Sequence, residues 1–316
     1  MVLGVPTVRV ATFNVENLFA RFKFNSGVDP SEAVRDGWDV NETHFEEFSS
    51  TDKRITAQAV KKVDPDVIAL QEVENVDTLK HFRSLFLGGF NAYPYVAGID
   101  GNDPRLIDVA VLSRLPIVRV RSNQHVRESP QSRSFVFSRD CLEVDVDVDG
   151  QVLTLYVNHL KSMLGGRAQT RARRVLQART VRQIVVDRLG ANPGDQPFIV
   201  LGDMNDYLET DEDGTTTGID ELVLWDQVVN VVERRDQDER WTHFFKGRAG
   251  EEPAYRQLDY LLLSTSLAAA NPGTPDIMRM GMPLRADRYT GPRFEWIGED
   301  RPKASDHCPV SIDLNL

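Results

Sequence analysis

Cysteine is scarce in this chain, which has only Cys141 and Cys308 among its 316 residues. Two cysteines so far apart provide neither a disulfide framework nor a Cys-x-x-Cys metal site. Their scarcity predicts a reducing compartment, and we expect a cytoplasmic protein. A mature secreted or periplasmic form would have the same composition.

Long apolar runs are absent, and positive charge is in short supply. No run approaches the roughly 20 residues that a membrane-spanning helix needs, and the N-terminus lacks a basic start and a long apolar region, so we expect no membrane span. Lys and Arg number 37 against 48 Asp and Glu, which gives a net charge of −11. This charge argues against binding nucleic acid by charge alone. It leaves a nuclease possible, because bound divalent cations reverse the local sign of a carboxylate cluster.

Apolar runs that end in polar residues recur along the chain. VRVATF ends at Asn14, DVIALQ at Glu72, and FIVLG at Asp203, with Asn205 two residues later. Such runs predict buried strands, and ligands of layered α/β folds bind at strand ends.

Helical periodicity and turn residues complete the pattern. Apolar spacing predicts helices over residues 51–63, 76–87 and 168–189. Asp149 and Gly150 stand between two alternating runs, which predicts a β-hairpin. Strand and helix patterns alternate in both halves, so we predict one α/β domain, residues 1–316, of two stacked mixed sheets flanked by helices.

Seven motifs then appear in a specific order: ATFNVENLF, ALQEVEN, DVAVLSR, VNHLKS, LGDMND, QLDYLLLS and SDHCPV. In this order they resemble the endonuclease/exonuclease/phosphatase superfamily, which includes DNase I. NHLKS followed by Gly-Gly and an arginine-rich helix is most similar to its bacterial extracellular-type nucleases. The resemblance implies a four-layer α/β sandwich that hydrolyses a phosphate ester with one or two Mg²⁺ ions, for which Mn²⁺ or Ca²⁺ could substitute.

The resemblance also implies a metal site and a place for the attacking water. Asn14, Glu72 and Asp306 would supply oxygen ligands, because a hard cation must neutralise the phosphate before hydroxide attacks. Asp203 would orient or deprotonate the water, and Asn205 would hold a phosphate oxygen or a second ion. Taken alone, the Asp203 and Asn205 pair is equally typical of a turn.

Two histidines complete the expected catalytic set. His307 would donate to the developing phosphorane, with Asp259 fixing its tautomer. His159, which deoxyribonucleases and sphingomyelinases also have at this strand end, would protonate the leaving alkoxide. An isolated Asp-His dipeptide such as Asp306-His307 is most often surface decoration, and the preceding QLDY motif is what favours a catalytic role here. The alternative for His159 is a histidine stacked at a strand end.

Basic residues offer candidate phosphate contacts. Arg167 and Arg171 are spaced for one helix face, although such faces are often merely solvated. Arg114 and Lys161 lie nearer the expected centre in sequence. We therefore predict a metal-dependent DNA endo- or exonuclease, with monomer as the expected state. The alternatives are a phosphodiesterase or phosphatase for a small or lipid substrate, and a catalytically silent binding module on the same fold.

Overall fold

The computed structural model describes residues 7–24, 45–47, 49–247 and 251–316. In chain order the strands are β1 (Thr7–Leu18), β2 (Phe22–Phe24), β3 (Phe45–Glu47), β4 (Val67–Val73), β5 (Tyr95–Gly98), β6 (Asp108–Ser113), β7 (Ile117–Arg121), β8 (Cys141–Val148), β9 (Gln151–His159), β10 (Phe198–Asp203), β11 (Val228–Asn230), β12 (His243–Phe245), β13 (Ala254–Arg256), β14 (Asp259–Ser264), β15 (Asp276–Ile277) and β16 (Val310–Asn315). The α-helices are α1 (Ser50–Val63), α2 (Val76–Phe82), α3 (Arg167–Leu189), α4 (Asp220–Val223) and α5 (Thr265–Ala270). None of these helices has the length and apolar character needed to cross a membrane.

Two six-stranded sheets form the centre of the protein. Their strand orders are β15-β16-β1-β4-β6-β5 and β11-β14-β10-β9-β8-β7. Both sheets are mixed, because β1 runs parallel to β4 and β9 parallel to β10, whereas the remaining neighbours pair antiparallel. The strands β2 and β3 form a separate small sheet, and so do β12 and β13.

Side chains along each central strand alternate between the two faces of its sheet, and the apolar layers form on those faces. Val8 and Val10 of β1 pack with Leu201 of β10 in an apolar cluster between the two sheets. The opposite face of the first sheet packs on α1 and α2, and the opposite face of the second sheet packs on α3. Successive side chains of a strand point to opposite faces, so each sheet contributes to two apolar layers. The predicted four-layer sandwich of two mixed sheets and flanking helices is confirmed.

Local predictions hold in most places and fail at helix ends. Asp149 and Gly150 both have positive φ, 52° and 88°, and join β8 to β9 as the predicted hairpin. The helix predicted over 76–87 is α-helical only to Phe82, and a π-helical turn follows at Arg83–Leu87. This wider turn keeps Phe86 and Leu87 together in the apolar layer beneath α1.

At Gly202 the backbones of two neighbouring strands of the second sheet approach so closely that a side chain does not fit. Its φ is +130°, and a Cβ atom there would lie 2.0 Å from the carbonyl oxygen of Asn158 on the neighbouring strand. Gly214 also has positive φ, +83°, but a Cβ atom there meets nothing within 4 Å.

We therefore predict that Gly202→Ala lowers the free energy of unfolding by about 3 kcal/mol or more, because strain and overpacking add. Gly214→Ala, the matched control, should lose only about 1–2 kcal/mol from strain. Denaturant unfolding of both variants measures the difference. Equal losses would show that the contact with Asn158 relaxes freely.

Candidate active site

The register of the second sheet places three titratable residues side by side. Asp203 ends β10 and is paired with His159, the last residue of the parallel strand β9. On its other side Asp203 is paired with Asp259, the first residue of β14. Because β14 runs antiparallel, its first residue lies at the same edge as the ends of β9 and β10.

Asp203 is buried at this edge and is held from both sheets. Its Oδ2 accepts hydrogen bonds from Nδ2 of Asn14, at 3.0 Å, and from Nδ2 of Asn205, at 2.9 Å. Its Oδ1 accepts the backbone N–H of Asn205 at 2.8 Å. Asn14 belongs to β1, so its bond crosses from the first sheet to the second. The Asn205 backbone has a positive φ of 52°, which turns its amide back onto Asp203.

Two imidazoles approach this carboxylate. Nδ1 of His307 lies 2.8 Å from Oδ2 of Asp259, and its Nε2 lies 3.8 Å from Oδ2 of Asp203. Oγ1 of Thr242 donates to the same Asp259 oxygen at 2.7 Å. Nε2 of His159 lies 3.4 Å from Oδ2 of Asp203. Asp259 therefore fixes His307 with its Nε2 facing Asp203, which is the orientation that a proton donor to substrate needs.

Burial and charge set the protonation of these groups. Burial, with a contribution from Asp259, raises the pKa of Asp203 above its usual value. Burial and the Arg139 charge hold the pKa of His159 well below its usual value. Burial opposes the charge on His307, but Asp259 and Asp203 outweigh it and raise the pKa of that imidazole. The two histidines therefore differ in protonation, with His307 charged and His159 neutral.

Glu72 and Asp306 form the oxygen-rich side of the site. Glu72 is the penultimate residue of β4 and has a positive φ of 65°, and its Oε1 lies 3.9 Å from Nε2 of His159. Burial and the negative charge of Asp306 raise the pKa of Glu72. A cation between the two carboxylates would neutralise the negative charge that opposes the ionisation of Glu72. Their oxygen donors, together with the side-chain oxygen of Asn14, fit a hard divalent ion such as Mg²⁺.

Helix α3 turns Arg167 inward, so the structure does not place this predicted phosphate contact on an open surface. Nε of Arg167 lies 2.7 Å from Oδ1 of Asp206, and Nε of the fully buried Arg174 lies 2.7 Å from Oδ2. Arg174 also donates to the Lys161 carbonyl oxygen, and Arg167 to that of Tyr207. The sequence spacing located one helix face correctly, but that face is turned inward. These ion pairs anchor α3 to the loops that follow β9 and β10.

Arg114 is also misplaced by the sequence prediction. It follows β6, which runs antiparallel to β4, so it lies at the opposite edge of the sheet from Glu72. Six residues of strand at roughly 3.3 Å each put about 20 Å between them. There Arg114 pairs with Asp64 and Asp66.

Lys161 and Arg171 stay predictions. Lys161 follows His159 by two residues and is half-buried, and burial together with the Arg139 charge lowers its pKa. Arg171 is half-buried, and its Nε donates to the carbonyl oxygens of Thr216 and Thr217 at 3.1 and 2.8 Å.

Sequence reasoning missed two residues at this edge. Arg139 is 3% exposed, pairs with Asp103 at 3.0 Å and donates to the Leu160 carbonyl oxygen. No motif surrounds it, and only its position just before β8, which runs antiparallel to β9, places it here. His243 lies in β12, with its ring centroid 4.5 Å from that of His307. Burial and the His307 charge lower the pKa of His243 to about 3.

Comparison with solved structures identifies the fold class. TDP2 from Danio rerio, complexed with single strand DNA product, matches with a TM-score of 0.59 at 18% identity, covering 98% of this chain and 99% of that chain. Truncated TDP2 from Caenorhabditis elegans gives 0.58 at 18%, covering 98% of both chains. A mannosyl-6-phosphatase from Bacteroides thetaiotaomicron gives 0.55 at 16%, covering 98% and 100%. At these identities the likeness shows the DNase I-like four-layer fold.

Comparison of sequences gives the family. The profile described as "Endonuclease/Exonuclease/phosphatase family" matches residues 9–230. The chain belongs to this family, whose members hydrolyse phosphoric esters and generally use divalent metals. A comparison with curated protein sequences finds no match.

The buried cluster of Asp206, Arg167 and Arg174 generates a stability prediction. Asp206→Asn should lower the free energy of unfolding by about 3–5 kcal/mol, because it leaves the buried guanidinium of Arg174 without its counter-charge and Arg167 with only the half-buried Asp211. Glu221→Gln, which breaks the exposed pair with Arg179, is the control and should change little. Denaturant unfolding compares the two. If both variants unfold alike, the cluster is not an anchor.

Proposed function

We propose that this protein is a divalent-metal-dependent phosphodiesterase whose substrate is DNA. The observation that carries the proposal is the convergence of His159 and His307 on the buried carboxylate of Asp203, beside Glu72 and Asp306. Phosphodiester hydrolysis needs a base for water, charge stabilisation at the phosphorus and a proton for the leaving oxygen. A separate group is available for each need.

The chain's own residues divide the reaction between them. The raised pKa of Asp203 suits it to accept a proton from the attacking water, and Asn205 and Asn14 hold its carboxylate in place. His307, charged and oriented by Asp259, donates Nε2–H to a non-bridging phosphate oxygen. The divalent ion, when bound by Glu72, Asp306 and Asn14, would neutralise phosphate charge and polarise the P–O bond.

His159 has a different part in this proposal. It is neutral in the free protein because burial and Arg139 oppose its charge. An arriving phosphate is negative and favours the imidazolium form. We propose that His159 gains a proton when substrate binds and delivers it to the leaving alkoxide.

The choice of DNA is supported by the fold comparison and by nearby basic groups. The TDP2 of Danio rerio, which has the same fold, was crystallised with a single strand DNA product. Lys161 and Arg171 lie on the loop after β9 and on α3, and we propose that they contact the DNA backbone. Cys141 and Cys308 are free and buried, which supports a cytoplasmic location. The pairing of β1 with β16 supports one domain over residues 1–316.

A small phosphate ester is the second candidate substrate. The Bacteroides thetaiotaomicron neighbour is a mannosyl-6-phosphatase, and the net charge of −11 gives no general attraction for DNA. This alternative uses the same Asp203 and histidine groups.

One assay separates these functions. The protein is incubated with plasmid, linear DNA, RNA, bis(p-nitrophenyl) phosphate and mannose 6-phosphate, each with Mg²⁺, Mn²⁺ or EDTA. We expect plasmid or linear DNA to be cut with metal and to stay intact with EDTA. Turnover of the sugar phosphate alone would replace DNA with a monoester substrate. No turnover in any lane would mean a silent binding module.

Asp203→Asn and His307→Ala should each reduce kcat/KM by several orders of magnitude and leave the fold intact, because each removes a group that acts in the transition state. His125→Ala changes a histidine outside the site and serves as the control. Initial rates with DNA and thermal unfolding curves are measured for all three variants. A loss below about tenfold, roughly 1.4 kcal/mol, in either site variant would remove that residue from the proposed mechanism.

His159→Gln tests proton delivery through the leaving group. The variant should lose far more activity on DNA, whose leaving alkoxide needs a proton, than on bis(p-nitrophenyl) phosphate, whose nitrophenolate does not. The ratio of kcat/KM on the two substrates gives the result for wild type and variant. Equal losses on both would leave His159 only the task of holding phosphate.

A further inference from the structure

His243 and Asp306 face each other across the mouth of the site. Suitable ligand atoms of His243, Asp306 and His307 all lie within 4.8 Å of one another. Within the part of the chain that the structure describes, no hydrogen bond joins the His243 ring to Asp306 or to another residue. A half-buried imidazole next to a carboxylate normally forms that bond. Here the two groups stand apart, at a spacing that an ion between them can bridge after small side-chain rotations.

The backbone holds this pair firmly. The Phe244 N–H donates to the Asp306 carbonyl oxygen at 2.9 Å, and the Cys308 N–H donates to the Thr242 carbonyl oxygen at 2.6 Å. These two hydrogen bonds lie on either side of His243 and place it directly opposite His307 in an antiparallel β-bridge. The ring is therefore presented by a rigid β-bridge, which is the support that a metal ligand needs.

Asp306 has no ion-pair partner within 4 Å among the residues that the structure describes. The closest lysine in sequence, Lys303, pairs with Glu16 at 2.9 Å instead. Glu16 and Glu72 both experience the negative charge of Asp306. Glu16 is neutralised by Lys303 and Arg301. Asp306 and Glu72 are then the carboxylates of this corner that have no Lys or Arg partner among the described residues, and such a pair would attract a divalent ion.

His307 is a poor candidate for the nitrogen ligand. Its Nδ1 is bound to Asp259, and its Nε2 lies 3.8 Å from Asp203. Both ring nitrogens are thus directed at carboxylates of the second sheet. Among the described residues, the ring nitrogens of His243 form no hydrogen bond and no ion pair with a carboxylate.

We propose that His243 is a ligand of the divalent ion held at Asp306, so that the metal centre of this protein contains an imidazole nitrogen. The proposal rests on the metal requirement of the proposed function. Imidazole binds first-row transition ions better than Mg²⁺, which prefers oxygen ligands. His243 therefore shifts the selectivity of the site from Mg²⁺ toward Mn²⁺ and Co²⁺.

Pulsed electron paramagnetic resonance of bound Mn²⁺ tests this ligand without substrate. Metal-free wild type, His243→Gln and His125→Gln, the control histidine outside the site, are each loaded with Mn²⁺. We expect ¹⁴N coupling in wild type and in the control, and its loss in His243→Gln. Absence of ¹⁴N coupling in wild type, or its persistence in His243→Gln, overturns the proposal.

The affinity of the protein for Mn²⁺ and Mg²⁺ provides a second test of the His243 ligand. His243→Gln should weaken Mn²⁺ binding at least about 10-fold, the loss that even an outer-shell partner of a metal site carries, and should weaken Mg²⁺ binding less. Titration followed by the signal of free Mn²⁺, with Mg²⁺ as competitor, measures both. Equal weakening for the two ions would contradict the nitrogen ligand. Thermal unfolding verifies the fold, and His243→Asn replaces the variant if it does not fold.

These experiments distinguish a failure of the metal-ligand proposal from a failure of the phosphodiesterase proposal. If DNA and ester assays with Mg²⁺ show no turnover while the ¹⁴N coupling depends on His243, the metal ligand stands and the phosphodiesterase proposal fails. If turnover is found and the coupling is absent, the activity stands and the ligand proposal fails.

Discussion

The hydrogen bond from Asn14 to Asp203 links the two sheets at the edge where all the candidate catalytic groups meet. A buried carboxylate is costly unless hydrogen bonds satisfy it. Asp203 meets this requirement with donors from β1 and from the loop after β10, so it is stable only when both sheets are packed. The spacing between the sheets, which the central apolar layer sets, therefore also sets the distances among His159, His307 and Glu72. The site is a property of the packed sheets more than of any one loop.

Backbone strain accompanies this arrangement. Glu72 and Asn205 both have positive φ, which costs about 1–3 kcal/mol for residues other than glycine. The Asn205 amide is thereby directed at Asp203 and the Glu72 carboxylate at His159, and each residue lies within two positions of the end of its strand. The apolar layers on both faces of each sheet supply the stability that offsets this cost. Residues held in such conformations cluster at functional sites, which agrees with the place of these two.

Sequence patterns predicted the strands, the helix α1, the hairpin at Asp149 and Gly150, and two stacked sheets flanked by helices. The family resemblance implied the four-layer sandwich. The patterns also indicated Asn14, Glu72 and Asp203 as polar residues at strand ends, and the family resemblance implied the roles of His159, Asp259 and His307. The sequence predictions failed where the direction of a side chain depends on partners distant in sequence. The spacing of Arg167 defines a helix face, but only the buried Asp206 shows that this face points inward. Arg114 was misplaced because the motif order does not reveal the antiparallel direction of β6.

Arg139 and His243 escaped prediction for a related reason. Neither has a neighbouring residue in sequence that marks a site, and each acquires its environment only through strand pairing. Arg139 precedes the strand that pairs with β9, and His243 is bridged to His307. Pairings between residues far apart in the chain determine such positions, and a single sequence carries no local signal of them.

The pairing of β1 with β16 has a consequence for biosynthesis. The first strand of the chain lies between β4 and β16, so one of its edges stays uncovered on the ribosome until residues 310–315 have emerged. Asp306 and His307 immediately precede that closing strand. A growing polypeptide thus contains Glu72, His159 and Asp203 long before it contains His307, the second imidazole of the cluster. Translation therefore completes the candidate site only when the first sheet is itself complete.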